Sequence, residues 1–203
     1  MSGSIAGPDG KLRCRWCAAA PEFLTYHDTE WGFPVRDDRR LFEKLSLEGF
    51  QSGLSWRTIL AKRENFRAAF HGFDFDAIAR FSERDVGRLL KDAGIVRHRG
   101  KIEAVIGNAR RARELVEREG SLAAFIWRFE PDSKGVAKPQ TASTSPAAIA
   151  LSKDLKKLGW KFVGPTTVYA FMQAMGLIND HAEDCTIRAK VERARKDFKR
   201  PNR

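Results

Sequence analysis

The stretch KIEAVIGNARRARELVEREG, residues 101–120, constrains the fold most. Its apolar residues Ile102, Val105, Ile106, Ala109, Ala112, Leu115 and Val116 recur three and four apart. That spacing lines them on one helix face and turns Arg110, Arg111 and Arg113 away. A helix with a single apolar stripe must pack against similar surfaces elsewhere in the chain. Other segments supply them. Asp37 or Asp38 can cap a helix carrying Leu41, Phe42 and Leu45, and Ser82 with Asp85 makes a capping-box pattern before Val86, Leu89 and Leu90, with Gly94 as a stop. Ser145 caps a further helix that has Pro146 at its first position and runs to Gly159. No segment alternates as a strand does. The expected class is all-α.

A chain of 203 residues suits one domain with a sizeable core. Residues 1–11 are small, polar and Gly-rich and are expected to be poorly ordered; 12–186 form the helical domain; 187–203 form a basic C-terminal tail. Between Pro131 and Pro146 the composition reads as a long surface loop. Of the net charge of +11, the tail carries eight Lys or Arg against two acids. Such an end favours polyanions through counterion release, or serves only to solubilise. No apolar run approaches the roughly 20 residues needed to span a bilayer, and the N-terminus lacks a signal pattern, so no membrane partner and a cytoplasmic location are expected.

Two local patterns carry chemistry. In LSKDLKKLGWKFVGPTTVYAFMQAMG, two helices flank GWKFVGPT. Gly164 can take a positive φ, Pro165 starts the second helix, and Thr166 or Thr167 helps satisfy its free N–H groups. With Lys156, Lys157 and Lys161 nearby, the turn reads either as an anion site suited to a backbone phosphate or as a plain helical hairpin. A weaker basic turn lies at 91–101, KDAGIVRHRGK. The second pattern is Cys14 with His27 and His181 with Cys185. Two thiolates and two imidazoles make a tetrahedral set for Zn²⁺ of the closed, structural type. Cys17 offers a competing C-x-x-C with Cys14, and scattered buried thiols are the third reading.

A further question comes from SLEGFQSGLSW, residues 46–56, which sets Glu48 among Leu45, Leu47, Phe50, Leu54 and Trp56. A carboxylate in such company must be solvated, paired or held for a purpose.

YHDTEWGFP, LFEKLSLEGFQSGLSW, RENFRAAFHGFD, DAGIVRHRGKIEAVIGNA, TSTS, LKKLGWKFVGPTTVYAFMQAMGLINDH and Cys185 together closely resemble the DNA-3-methyladenine glycosylase I family of helix-hairpin-helix DNA glycosylases. The resemblance covers roughly residues 12–186. It implies an enzyme that flips 3-methyladenine out of double-stranded DNA and hydrolyses its N-glycosidic bond, initiating base excision repair as a monomer. It also implies a structural Zn²⁺ on Cys14, His27, His181 and Cys185, which ties the N- and C-terminal segments together and leaves Cys17 out. Glu48 is then the candidate catalytic and base-recognising carboxylate, Tyr26 and Trp56 hold the base, and Trp16 and Trp31 line the same region. Gly53 and Leu54 match an intercalating loop. Lys161, Val163, Gly164 and Thr166 match the hairpin that grips the DNA backbone. Asp180 receives no catalytic role, because the resemblance implies a family without the aspartate that other helix-hairpin-helix glycosylases use. Two other classes stay open: a noncatalytic DNA-binding module, and a glycosylase for a broader set of alkylated purines.

Overall fold

The computed structural model describes residues 3–132 and 138–201. Residues 1–2 of the expected N-terminal segment, 133–137 of the expected loop and 202–203 of the tail lie outside the described residues. The chain is mostly helical. The first departure from expectation is at the start, where β1 (Ser4–Ala6) pairs antiparallel with β2 (Leu12–Cys14), Ser4 opposite Cys14. Three-residue strands are too short to show alternation. The pairing brings order to a segment expected to lack it, and Thr186 N donates to Leu12 O (2.9 Å), so the C-terminal segment fastens to the same strand.

After a 3-10 turn, α1 (Pro21–Thr29) buries Phe23, Tyr26 and His27 on its inner side. The next helix, α2 (Asp38–Gln51), is the axis of the fold: every residue from Leu41 to Phe50 is buried. Asp37 caps it by accepting from Arg40 N (2.8 Å). Asp38 reaches across instead, accepting from Leu122 N (2.9 Å) and Ala123 N (2.8 Å), and so satisfies free N–H groups of a distant helix. Around α2 follow α3 (Trp56–Ala61), α4 (Arg63–Ala69), α5 (Phe75–Ile78) and α6 (Glu83–Lys91), whose Ser82–Asp85 capping box is formed as expected. The striped helix is α7 (Arg99–Glu119), followed by α8 (Leu122–Trp127). Both pack on α2. A phenylalanine layer fills the space beside α2, with Phe50 and Phe66 rings 4.6 Å apart and Phe70 stacked on Phe73 at 5.7 Å.

Next come α9 (Pro146–Lys157), capped by Ser145, and α10 (Pro165–Ala174), which packs on both α9 and α2. The turn between them differs from the expectation. Gly164 has φ −63°, ordinary backbone, and the positive φ falls on Gly159 (83°) and Phe162 (56°). No side chain caps α10, because the capping position is the glycine itself. Finally, α11 (Arg188–Asp197) shows that the basic C-terminal segment is a docked helix rather than a loose tail. Val191 is fully buried, Arg195 pairs with Glu130 (3.0 Å), and Phe198 packs on Trp127. No helix among the described residues is long and apolar enough to cross a membrane.

Candidate active site and metal centre

Cys14 ends β2, His27 lies on α1, and His181 and Cys185 follow α10; all four are buried, with their ligand atoms within 4.8 Å of one another. Cys14 Sγ is 3.6 Å from His181 Nδ1, Cys185 Sγ is 3.6 Å from both His27 Nε2 and His181 Nδ1, and the two imidazole nitrogens are 3.2 Å apart. Around a tetrahedral Zn²⁺ with bonds of about 2.0–2.3 Å, neighbouring ligands lie roughly 3.3–3.8 Å apart. The spacing fits. The outer ring nitrogens are also engaged: His27 Nδ1 pairs with Asp28 Oδ1 (2.8 Å) and His181 Nε2 with Trp31 O (3.0 Å). If each donates there, the inner nitrogens are free lone pairs aimed at a common point. Arg13 in turn clamps Asp28 and Asp9. The sulfurs push each other apart in acidity. The neighbouring Cys185 raises the Cys14 thiol, whereas the Cys14 hydrogen bond and both imidazoles lower Cys185. A divalent cation between them is what stabilises two thiolates at once. Cys17 lies outside the group.

The aromatic wall stands directly on this cluster. The Trp31 ring is 4.6 Å from that of His181, and Trp16 meets His27 at 5.4 Å and Trp31 at 5.1 Å. On the far side of these rings opens a cavity of about 270 Å³ that gathers Trp16, Tyr26, Trp31, Glu48 and Trp56, five residues brought together from α1, α2, α3 and the segments beside them. Tyr26 and Trp56 are adjacent walls, not opposite ones. Their rings are 5.4 Å apart and inclined by 44°, too close for a base to lie between them.

Glu48 is 5 % exposed and is paired. Its Oε1 lies 2.7 Å from Lys44 Nζ, one turn earlier on α2. Lys44 also donates to Tyr26 Oη (2.8 Å) and sits 3.4 Å from the Trp56 ring centre. Burial pushes its ammonium below the usual lysine range, with Glu48 pulling the other way, and burial with the same carboxylate drives the Tyr26 phenol far up. Sequence reasoning missed Lys44, since a lysine on a helix reads as solvated.

It also missed Gln140 and Gln173 on the polar side of the cavity, where Asp180, given no catalytic role from the sequence, also lies. Asp180 accepts from Gln140 N (2.9 Å) and Gln173 Nε2 (2.6 Å), so it ties the loop around Gln140 to α10, and burial pushes its carboxyl up.

A second cavity continues from the first. Glu48, Gln51 and Ala170 line both, and the second adds Ser52, Gly53, Leu54, Thr166 and Thr167. The Gly53–Leu54 turn and the start of α10 therefore face one groove. Gly53 takes φ 78°, and Leu54 is 42 % exposed, not the core leucine that its neighbours would suggest. Lys101, from α7, holds the turn by donating to Phe50 O (2.8 Å) and Ser52 O (2.5 Å). Lys161 is exposed, and its backbone is clasped by Asn108 in both directions (2.8 and 3.0 Å). Val163 is 1 % exposed, and its carbonyl accepts from Ser152 Oγ (2.6 Å), so it sits inside the hairpin.

The family model for methyladenine glycosylase matches residues 16–189. The chain belongs to the methyladenine glycosylase family. Relatives agree with the assignment. DNA-3-methyladenine glycosylase 1 of Escherichia coli is 50 % identical over 177 residues, covering 85 % of this chain and 95 % of that protein. DNA-3-methyladenine glycosylase of Haemophilus influenzae is 44 % identical over the same length, covering 85 % and 96 %. A crystal structure of 3-methyladenine DNA glycosylase I (TAG) superposes with a TM-score of 0.80 at 49 % identity, covering 86 % of this chain and 98 % of that one.

Proposed function

We propose that this methyladenine glycosylase excises 3-methyladenine from alkylated double-stranded DNA, with Glu48, Tyr26, Trp56, Trp16 and Trp31 forming the base pocket. The observation that carries the reading is the cavity in which the buried Glu48 carboxylate meets this aromatic wall. A base inside a duplex is out of reach, so the nucleotide must rotate into a pocket. Leu54, exposed on a tight turn, can fill the gap left behind. Methylation at N3 makes the adenine cationic and weakens its bond to the sugar. The leaving group is activated before it binds, and the pocket has chiefly to prefer it. Aromatic faces attract cations at about 0.5–2 kcal/mol each. Glu48 complements the charge and accepts from the exocyclic amine. Guanine carries a carbonyl there, which the carboxylate repels.

The turn joining α9 and α10 acts as a helix-hairpin-helix in this reading. Backbone N–H groups around Gly164 and Thr166, with Lys161 beside them, grip a phosphate of the strand that presents the base. Zn²⁺ on Cys14, His27, His181 and Cys185 has a structural role. It braces the aromatic wall through Trp31 and His181 and leaves no open ligand position for chemistry.

Tryptophan fluorescence tests the pocket, since Trp16, Trp31 and Trp56 all line it. Free 3-methyladenine is expected to give a saturable change that Trp56→Ala abolishes, with 7-methylguanine binding at least about tenfold more weakly. Equal affinity for both bases would contradict an adenine-selective pocket.

A further inference from the structure

Lys44 is a buried ammonium in a pocket proposed to take a cation. It is 5 % exposed, and its contacts are Glu48 Oε1 at 2.7 Å, Tyr26 Oη at 2.8 Å and the Trp56 face at 3.4 Å. These are the groups that the proposed function assigns to the base. Glu48 is the immediate counter-charge of Lys44, and removing the ammonium would leave that carboxylate unopposed. Behind it, Glu30 is paired with Arg63 and Glu43 with Arg67, each internally neutral, while the cavity itself holds two carboxylates, Glu48 and Asp180.

We propose that Lys44 is a residue of the base pocket that discriminates between the cationic bound base and the neutral departing one, and so favours bond breakage. The inference rests on the glycosylase reading above. In the reaction, the bond between C1′ and N9 breaks and its electron pair goes to N9, which cancels the positive charge of the base. The sugar becomes an oxocarbenium ion; a water oxygen then bonds to C1′ and gives its proton to solvent. Positive charge thus leaves the neighbourhood of Lys44 as the bond opens. An ammonium there repels the alkylated base before cleavage and has little to repel afterwards. Repulsion of the ground state that is relieved in the transition state lowers the barrier and weakens substrate binding together. Glu48 supplies the opposing attraction, so the pair sets how tightly the pocket holds a cation. In a water-excluded site such effects are larger than in solvent.

The test is Lys44→Met, which keeps the unbranched apolar stem and removes the charge, beside Lys44→Arg, which keeps the charge. Single turnovers on methylated duplex DNA, with protein varied to saturation, give the cleavage rate and the half-saturating concentration separately. For Lys44→Met, both are expected to fall, each by about fivefold or more. Inhibition by free 3-methyladenine, which is neutral, should change less than about twofold. Lys44→Arg should restore the wild-type pattern. A structural role alone predicts a different outcome, with half-saturation and product inhibition both weakened in Lys44→Met. That result, or a cleavage rate that is unchanged or raised, overturns the proposal. Should Lys44→Met fail to fold, Lys44→Gln gives the same comparison. A wild-type protein that releases no 3-methyladenine refutes the glycosylase reading itself, which keeps the two failures distinct.

Discussion

At the scale of single residues, charged side chains among the described residues are buried only where a partner is fixed. Glu48 has Lys44, and Glu43 has Arg67. The half-buried Glu30, next to Trp31, is held in the same way, accepting from both arms of Arg63 at 2.7 and 3.0 Å. Burial pushes the Glu30 carboxyl up, and the Arg63 fork more than reverses this, leaving it below the usual glutamate range. The sign of the linkage follows. Between the two pKa values the unfolded chain binds the proton more readily, so the pair stabilises the fold above about pH 4–5 and loses that contribution as pH falls through the folded value. Urea unfolding of wild type and Glu30→Gln should therefore differ by on the order of 1 kcal/mol at neutral pH. The difference should shrink toward pH 3, whereas a gap that stays constant with pH would count against this account.

At the scale of elements, the site depends on how segment 32–35 is stitched to the end of α10. Gly32 N donates to Ala174 O and Val35 N to Met175 O, both at 3.2 Å, which fixes the chain carrying His27 and Trp31. Gly176 makes this approach possible. It has φ 79°, and a Cβ there would lie 2.5 Å from Pro34 N and 2.6 Å from the Phe33 carbonyl carbon, atoms of the backbone that cannot swing aside. Gly176→Ala should cost about 3 kcal/mol or more, measured as a shift of the denaturation midpoint. A loss under about 1 kcal/mol would mean that the two segments are not held this closely.

What could be read from the sequence divides along the same line. The α7 stripe, the Ser82–Asp85 box and the Ser145–Pro146 start are local signals, decided within one or two helical turns, and each stands as expected. The clasp of Asn108 on Lys161 joins residues 53 apart, and Asp38 caps a helix 84 residues on. Such partners follow from packing and have no local signature. Gly164 was a natural choice for the left-handed turn position, yet Gly159 and Phe162 hold the positive φ values, because the turn closes earlier than Pro165 suggests. Trp16, Tyr26, Trp31, Glu48 and Trp56 were legible as a group only through family resemblance, and Lys44, which lines the same cavity, was not legible at all.

At the scale of the whole molecule, the Cys–His cluster joins both ends of the fold. Cys14 comes from the N-terminal hairpin and Cys185 from the segment leading into α11, whose Arg188 bonds to the carbonyl of His181. A metal here is expected to act on stability first and on activity through it. Elemental analysis should find about one zinc per chain. Its removal by a chelator should lower the thermal midpoint by at least about 5 °C, with recovery when Zn²⁺ is returned. A midpoint that is the same with and without metal would leave the cluster with no structural role.

Chromatography of the bases freed from methylated duplex DNA reads out directly whether this cavity releases 3-methyladenine. Wild-type protein should release 3-methyladenine, and Glu48→Ala should release it at least about a hundredfold more slowly while keeping its fold and its metal. Folded, zinc-loaded wild type that frees no 3-methyladenine, or a Glu48→Ala variant that frees it at the wild-type rate, would contradict the account.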